Sequence, residues 1–141
     1  MNWEIPKQTF LVEDGKVGDC WRCCIAAILQ MPAEAVPHFL LSSKENGFCS
    51  CDSDTQQWLN ERGWCLVEAR KFSFPRRSTG AFDGLPVISC GPTERSRGMG
   101  RHHAVVTIAS KVVYDPHPSN AGLTAITDEY LVVPIPHFKK D

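Results

Sequence analysis

The sequence predicts an α+β fold in which helices come first and an antiparallel sheet follows. Two observations carry this expectation. Apolar residues recur at helical spacing in segments between Asp19 and Asn60, and after Gly63 that period gives way to short β-rich runs. The length of 141 residues fits one two-layer core, so residues 1–141 read as a single domain.

Taken in order, Phe10-Leu11-Val12 reads as a short extended piece, and Glu13 to Gly18 carries turn chemistry. Asp19 is the expected N-cap of a first helix, whose stripe is Cys24, Ile25, Ile28 and Leu29 and whose end is Met31-Pro32. Pro32 opens a second, broken helix carrying Val36, Phe39 and Leu40, interrupted at Pro37 and finished near Ser42-Ser43. Residues 44–53 read as a surface loop. Asp52, Ser53 or Asp54 is expected to cap a third helix through Asn60, with Gly63 as its stop.

Strands are expected at 64–69, 85–90, 103–109 and 111–114. Only Ser110 separates the last two, which predicts a tight hairpin. Residues 70–84, rich in turn formers and basic side chains, read as an exposed excursion. The glycine-rich, basic stretch 91–101 reads as a mobile lip over a site.

Fifteen basic and sixteen acidic residues give a net charge of -1, so no global field gathers nucleic acid or anionic lipid. No apolar run reaches the ~20 residues that span a bilayer. The opening Met1-Asn2-Trp3-Glu4-Ile5-Pro6 lacks the regions of a secretory signal. A cytoplasmic protein is expected, with its seven cysteines reduced. The spacings Cys20-x-x-Cys23 and Cys49-x-Cys51, with Cys65 and Cys90 in reserve, raise zinc as an alternative. Cys23 and Cys24 fall within a helical pattern, however, so the expectation is neither metal nor cofactor.

Chemistry concentrates on Cys20. At the start of a helix a thiol faces unpaired N–H groups and the positive end of the helix dipole, which favours the thiolate nucleophile. The competing reading is a buried structural cysteine. A cysteine nucleophile needs a base, and the base needs an orienting acceptor. His103 opens one strand of the expected hairpin and Asp115 closes the next, so antiparallel pairing brings them together although twelve positions separate them. His103 is preferred to His102 because it joins directly to Ala104-Val105-Val106, and alternation lets one of the two face the site. A strand-end histidine and an Asp-Pro turn are the structural readings of the same residues. Cys20-Trp21-Arg22-Cys23 also matches a redox motif, but no buried strand precedes it.

Asp19-Cys20 opening an apolar helix, His103-Ala104-Val105-Val106 and Tyr114-Asp115-Pro116 together resemble the papain-like cysteine peptidase superfamily, the bacteriocin-leader (double-glycine) peptidases above all. Asp115-Pro116-His117-Pro118-Ser119 is also similar to a stretch in small phage-encoded papain-like proteins. The resemblance implies a papain-like domain hydrolysing an amide, isopeptide or thioester of a peptide or acyl substrate through Cys20, His103 and Asp115. It assigns the oxyanion hole to Gln8 and the Cys20 N–H, although Gln8 stands twelve positions before Cys20, a longer interval than the family keeps. A loop through Glu13 to Gly18 has to absorb the difference. Trp21, Arg97, Arg101 and His117 are the expected substrate-lining residues, against readings of Trp21 as core, the arginines as a solvated loop and His117 as surface. Three other functions stay open: acyl transfer with the same residues, a papain-like shell that binds without cleaving, and a zinc-stabilised interaction domain using Cys23, Cys49, Cys51 or Cys65.

Overall fold

The structure, a computed structural model, describes residues 2–41, 51–69, 84–99 and 101–136. Among the described residues, the helices α1 (Cys20–Leu29) and α2 (Cys51–Asn60) precede the strands β1 (Trp64–Glu68), β2 (Val87–Gly91), β3 (His103–Ile108), β4 (Lys111–Tyr114) and β5 (Asp128–Pro134). The strands form one antiparallel sheet in the order β1-β5-β2-β3-β4. The α+β expectation holds.

Strand alternation divides the sheet into two faces. Leu66, Ile88, Ala104, Val106, Tyr114 and Val132 pack against α1 and α2 around Ile25, Cys24 and Leu59, while Val67, Val87, Leu131 and Val133 with Ala69 form a second cluster. Register explains the division, because Leu66 pairs with Val132 and Ile88 with both Tyr130 and Val106. Residues that face each other across the ladder share a face.

Several expectations need correction. β5 was not anticipated, yet it lies between β1 and β2 near the middle of the sheet. Its Tyr130-Leu131-Val132-Val133 run is β-rich and bounded by Asp128 and Pro134, a legible signal of modest length. α2 begins at Cys51, so Asp52 and Asp54 lie in its first turn, where their charge favours the helix dipole, rather than capping it from outside. Asp19 occupies the N-cap position of α1, but its side chain makes no capping bond. Oδ1 accepts from the Phe10 N–H at 3.1 Å and Oδ2 pairs with Arg22 at 3.1 Å. α1 ends at Leu29 because Gln30 turns left-handed, two residues before Pro32. The broken second helix is present as expected: a 3-10 turn, Ala33–Ala35, follows Pro32, and helical residues resume at 39–41 beyond Pro37, its further course lying outside the described residues. The expected excursion at 70–83 and the loop at 44–50 lie outside the described residues.

The β3–β4 connection is a two-residue turn, Ala109-Ser110, with φ of 51° and 66°. Both central residues of this hairpin turn are left-handed, a geometry suited to Asn-Gly and costly for alanine. β4 also carries an irregularity. Thr107 pairs with Val112, but Val106 pairs with Tyr114, so Val113 is an extra residue. Replacing Ala109-Ser110 by Asn-Gly should stabilise the fold by about 1–2 kcal/mol, read as a higher urea midpoint with unchanged slope. An unchanged or lower midpoint would contradict this description of the turn.

Candidate active site

β4 ends at Tyr114, so Asp115 follows directly on the last residue of that strand, and His103 is the first residue of β3. His103 Nε2 lies 2.7 Å from Asp115 Oδ1, with both side chains buried. The carboxylate accepts the hydrogen bond from Nε2–H, so Nδ1 is the ring nitrogen left for the cleft.

Asp115 is fully engaged. Oδ1 also accepts from the His117 N–H at 2.9 Å, and Oδ2 accepts from the Gly122 N–H at 2.8 Å. Gly122 has φ of 69°, which a residue without Cβ adopts at little cost. Burial raises the Asp115 pKa, but the His103 bond and these two backbone donors outweigh it and bring it down to about 2. Burial likewise works against a charged His103. The hydrogen bond to Asp115 and the interaction with Cys20 prevail, and the imidazole pKa rises to about 9.

Cys20 is the first residue of α1 and lines one cleft with Gln8, Glu13, Arg101, His103 and His117. The cleft has about 50 Å³ of free space. Cys20 is partly exposed there, unlike Cys23 and Cys24 behind it. Burial pushes Cys23 up to about 12 and raises Cys24 far above the ordinary thiol value. Cys51 is also buried, and burial raises Cys90 strongly. Cys49 lies outside the described residues. Among the described residues, no group of three or more His, Cys, Asp or Glu side chains is arranged to hold a metal ion.

Gln8 reaches the cleft in spite of its distance in sequence. The Phe10 N–H donates to Asp19 Oδ1, and the Asp19 N–H donates to the Phe10 carbonyl at 3.4 Å, pinching off residues 11–18 as a closed loop. The 3-10 turn Val12–Asp14 and the left-handed Gly15 compact this loop. A Cβ on Gly18 would sit 3.1 Å from Val12 Cγ2, closer than ordinary contact. The Gln8 N–H donates to the Pro116 carbonyl at 2.8 Å, which ties it to the chain just after Asp115. Its Nε2 donates to the Phe10 carbonyl at 2.7 Å with one N–H remaining, while Oε1 is buried without a partner.

The other expected residues divide. His117 lies in the cleft, edge-on to His103 at 6.1 Å, with Nδ1 2.8 Å from Ser119 Oγ and Nε2 3.0 Å from Glu13 Oε2. Arg101 lines the cleft too. Arg97 does not: it is exposed and paired with Glu94 at 3.1 Å. Trp21 is buried in the core, donating to Thr55 Oγ1 at 3.0 Å and meeting Tyr130 edge-on at 5.0 Å. His102 is exposed and His103 buried, yet both line the cleft, where one of the two was expected. Of the expected lip, Thr93, Arg95, Ser96 and Arg101 border the cleft, but Thr93 and Ser96 cap their 3-10 turn reciprocally and Arg95 bonds Ser119 Oγ at 3.0 Å. Sequence reasoning missed Glu13, which joins His117 and Arg95 from a turn far away in the chain. No local signal identifies it.

The His103 imidazole should titrate near pH 9, and Asp115→Asn should lower that value by removing the anion, as read by NMR of the ring protons. A parent value at or below 6.5 would refute the pair. The linked stability is fully present from about pH 4 to 6.5, and it declines as pH rises through about 9 or falls through about 2. No protein-family model matches this chain, and no curated protein or solved structure is significantly similar to it.

Proposed function

We propose that the protein is a cysteine-dependent acyl hydrolase of peptidase or amidase type, with Cys20 as nucleophile in a papain-like arrangement. The observation that carries this reading is the buried His103–Asp115 bond opening onto the cleft that Cys20 enters from a helix start. The order of the three residues and the antiparallel sheet support the papain-like comparison. Cysteine, a base and an orienting carboxylate in one cleft form the constellation that acyl transfer needs.

In this mechanism the Cys20 thiolate attacks an acyl carbon, and the carbonyl electron pair moves to oxygen. The α1 N-terminus faces that oxyanion with backbone N–H groups that have no acceptor within the helix. The unused Nε2 proton of Gln8 is the side-chain donor closest in chemistry to the same task. His103, charged near neutral pH, gives its Nδ1 proton to the leaving amine or thiolate as the acyl–leaving-group bond breaks. Water then gives up a proton to His103 as its oxygen attacks the thioester, the acid departs, and the sulfur leaves as thiolate. An amine in place of water completes an acyl transfer with the same residues.

Brief iodoacetamide treatment should alkylate Cys20 ahead of the other six cysteines, as mapped by mass spectrometry. Labelling elsewhere with Cys20 untouched in folded protein sinks the assignment. Against any substrate found, Cys20→Ala should abolish turnover and His103→Ala should cost about 10²- to 10⁴-fold. Asp115→Asn should cost less, and His102→Ala should be mild. Turnover should fall as pH rises through about 9, where His103 loses the proton the leaving group needs, and Asp115→Asn should move that fall to lower pH.

A further inference from the structure

The charges around the cleft do not balance. Arg95 is answered by Glu13 at 3.7 Å and by Ser119, and Glu13 also holds His117. Arg101 has no such answer: its Nη2 donates to the Met99 thioether at 2.7 Å, a weak and neutral acceptor, and among the described residues no carboxylate pairs with it. Arg101 is exposed, so its guanidinium is not buried at a cost that demands a partner in the fold. It stands on the rim of the cleft that holds Cys20, two positions from His103 and next to the exposed His102.

We propose that this cleft selects acyl substrates bearing a carboxylate beside the attacked carbon, with Arg101 as the residue that receives it. The proposal rests on Cys20 as the nucleophile. A guanidinium fork matches a carboxylate with two parallel N–H donors, which orients as well as attracts. The free space in the cleft, about 50 Å³, admits a carbonyl and a short acidic substituent.

Iodoacetate and iodoacetamide test this without a known substrate. They differ in one end, carboxylate against neutral amide, and each alkylates Cys20 in the same step: a sulfur–carbon bond forms as the carbon–iodine bond breaks and iodide leaves with its electron pair. Rates at Cys20 are measured for both reagents at pH 7 and low salt, and their ratio is referred to that of glutathione. The parent ratio should exceed the glutathione ratio, and Arg101→Gln should lower it about three- to tenfold. The iodoacetamide rate, which reports an intact site, should change less than twofold. Arg101→Lys should retain most of the preference, and Lys111→Gln, at the far end of the β3–β4 hairpin, should leave it unchanged. Protection of Cys20 by N-acetylglycine against N-acetylaspartic α-amide then identifies the carboxylate as a chain terminus or an acidic side chain, the better protector naming the source. An unchanged ratio in Arg101→Gln, with Cys20 still reactive, overturns the proposal. A Cys20 inert to iodoacetamide in the parent overturns the nucleophile reading instead.

Discussion

The arrangement depends on one buried anion. A carboxylate removed from water costs several kcal/mol unless charge and hydrogen bonds replace its hydration. Asp115 meets this demand with His103 Nε2 and the N–H groups of His117 and Gly122. Each donor comes with a structural condition. His103 has to open β3, the chain has to turn directly after Pro116, and residue 122 has to adopt a left-handed backbone. The carbonyl of Asp115 is engaged as well, accepting from Lys7 Nζ at 2.6 Å, and the Pro116 carbonyl accepts from Gln8. The N-terminal segment, the β3–β4 hairpin and the 116–122 loop are therefore fastened at one residue.

A second buried carboxylate does comparable work at the start of α1. Asp19 forgoes the capping bond usual at its position and spends its oxygens on Phe10 and Arg22. That choice leaves early N–H groups of α1 without a side-chain cap, next to Cys20. It also closes the 11–18 loop, which carries Gln8 back to the helix start and presents Glu13 to His117 and Arg95. Local helix stability and site assembly compete for the same side chain, and the site is favoured.

Burial sorts the thiols. Cys20, Cys23 and Cys24 lie within five residues, yet α1 turns Cys23 and Cys24 into the helix–sheet interface and leaves Cys20 at its mouth. Burial disfavours the charged thiolate at the two inner positions. Among the described residues no helix is long and apolar enough to cross a membrane.

Much of the architecture was legible in local pattern. The helical stripe from Cys24 to Leu29, the β-rich runs after Gly63 and the one-residue estimate for the last hairpin connection brought Cys20, His103 and Asp115 into consideration together, because periodicity and turn length are local properties. The same logic separated buried His103 from exposed His102. Tertiary structure alone decided the rest. Whether Trp21 faced a substrate or Thr55 and Tyr130 depended on how α1 rolled onto the sheet, and β5 acquired its place between β1 and β2 from pairings remote in sequence. Glu13 gained a role only when its loop closed. The register shift between Val106 and Thr107, which leaves Val113 as an extra residue in β4, belongs with these. A bulge depends on which side chains the neighbouring strand and helix will bury, so it has no signature within the four residues of β4.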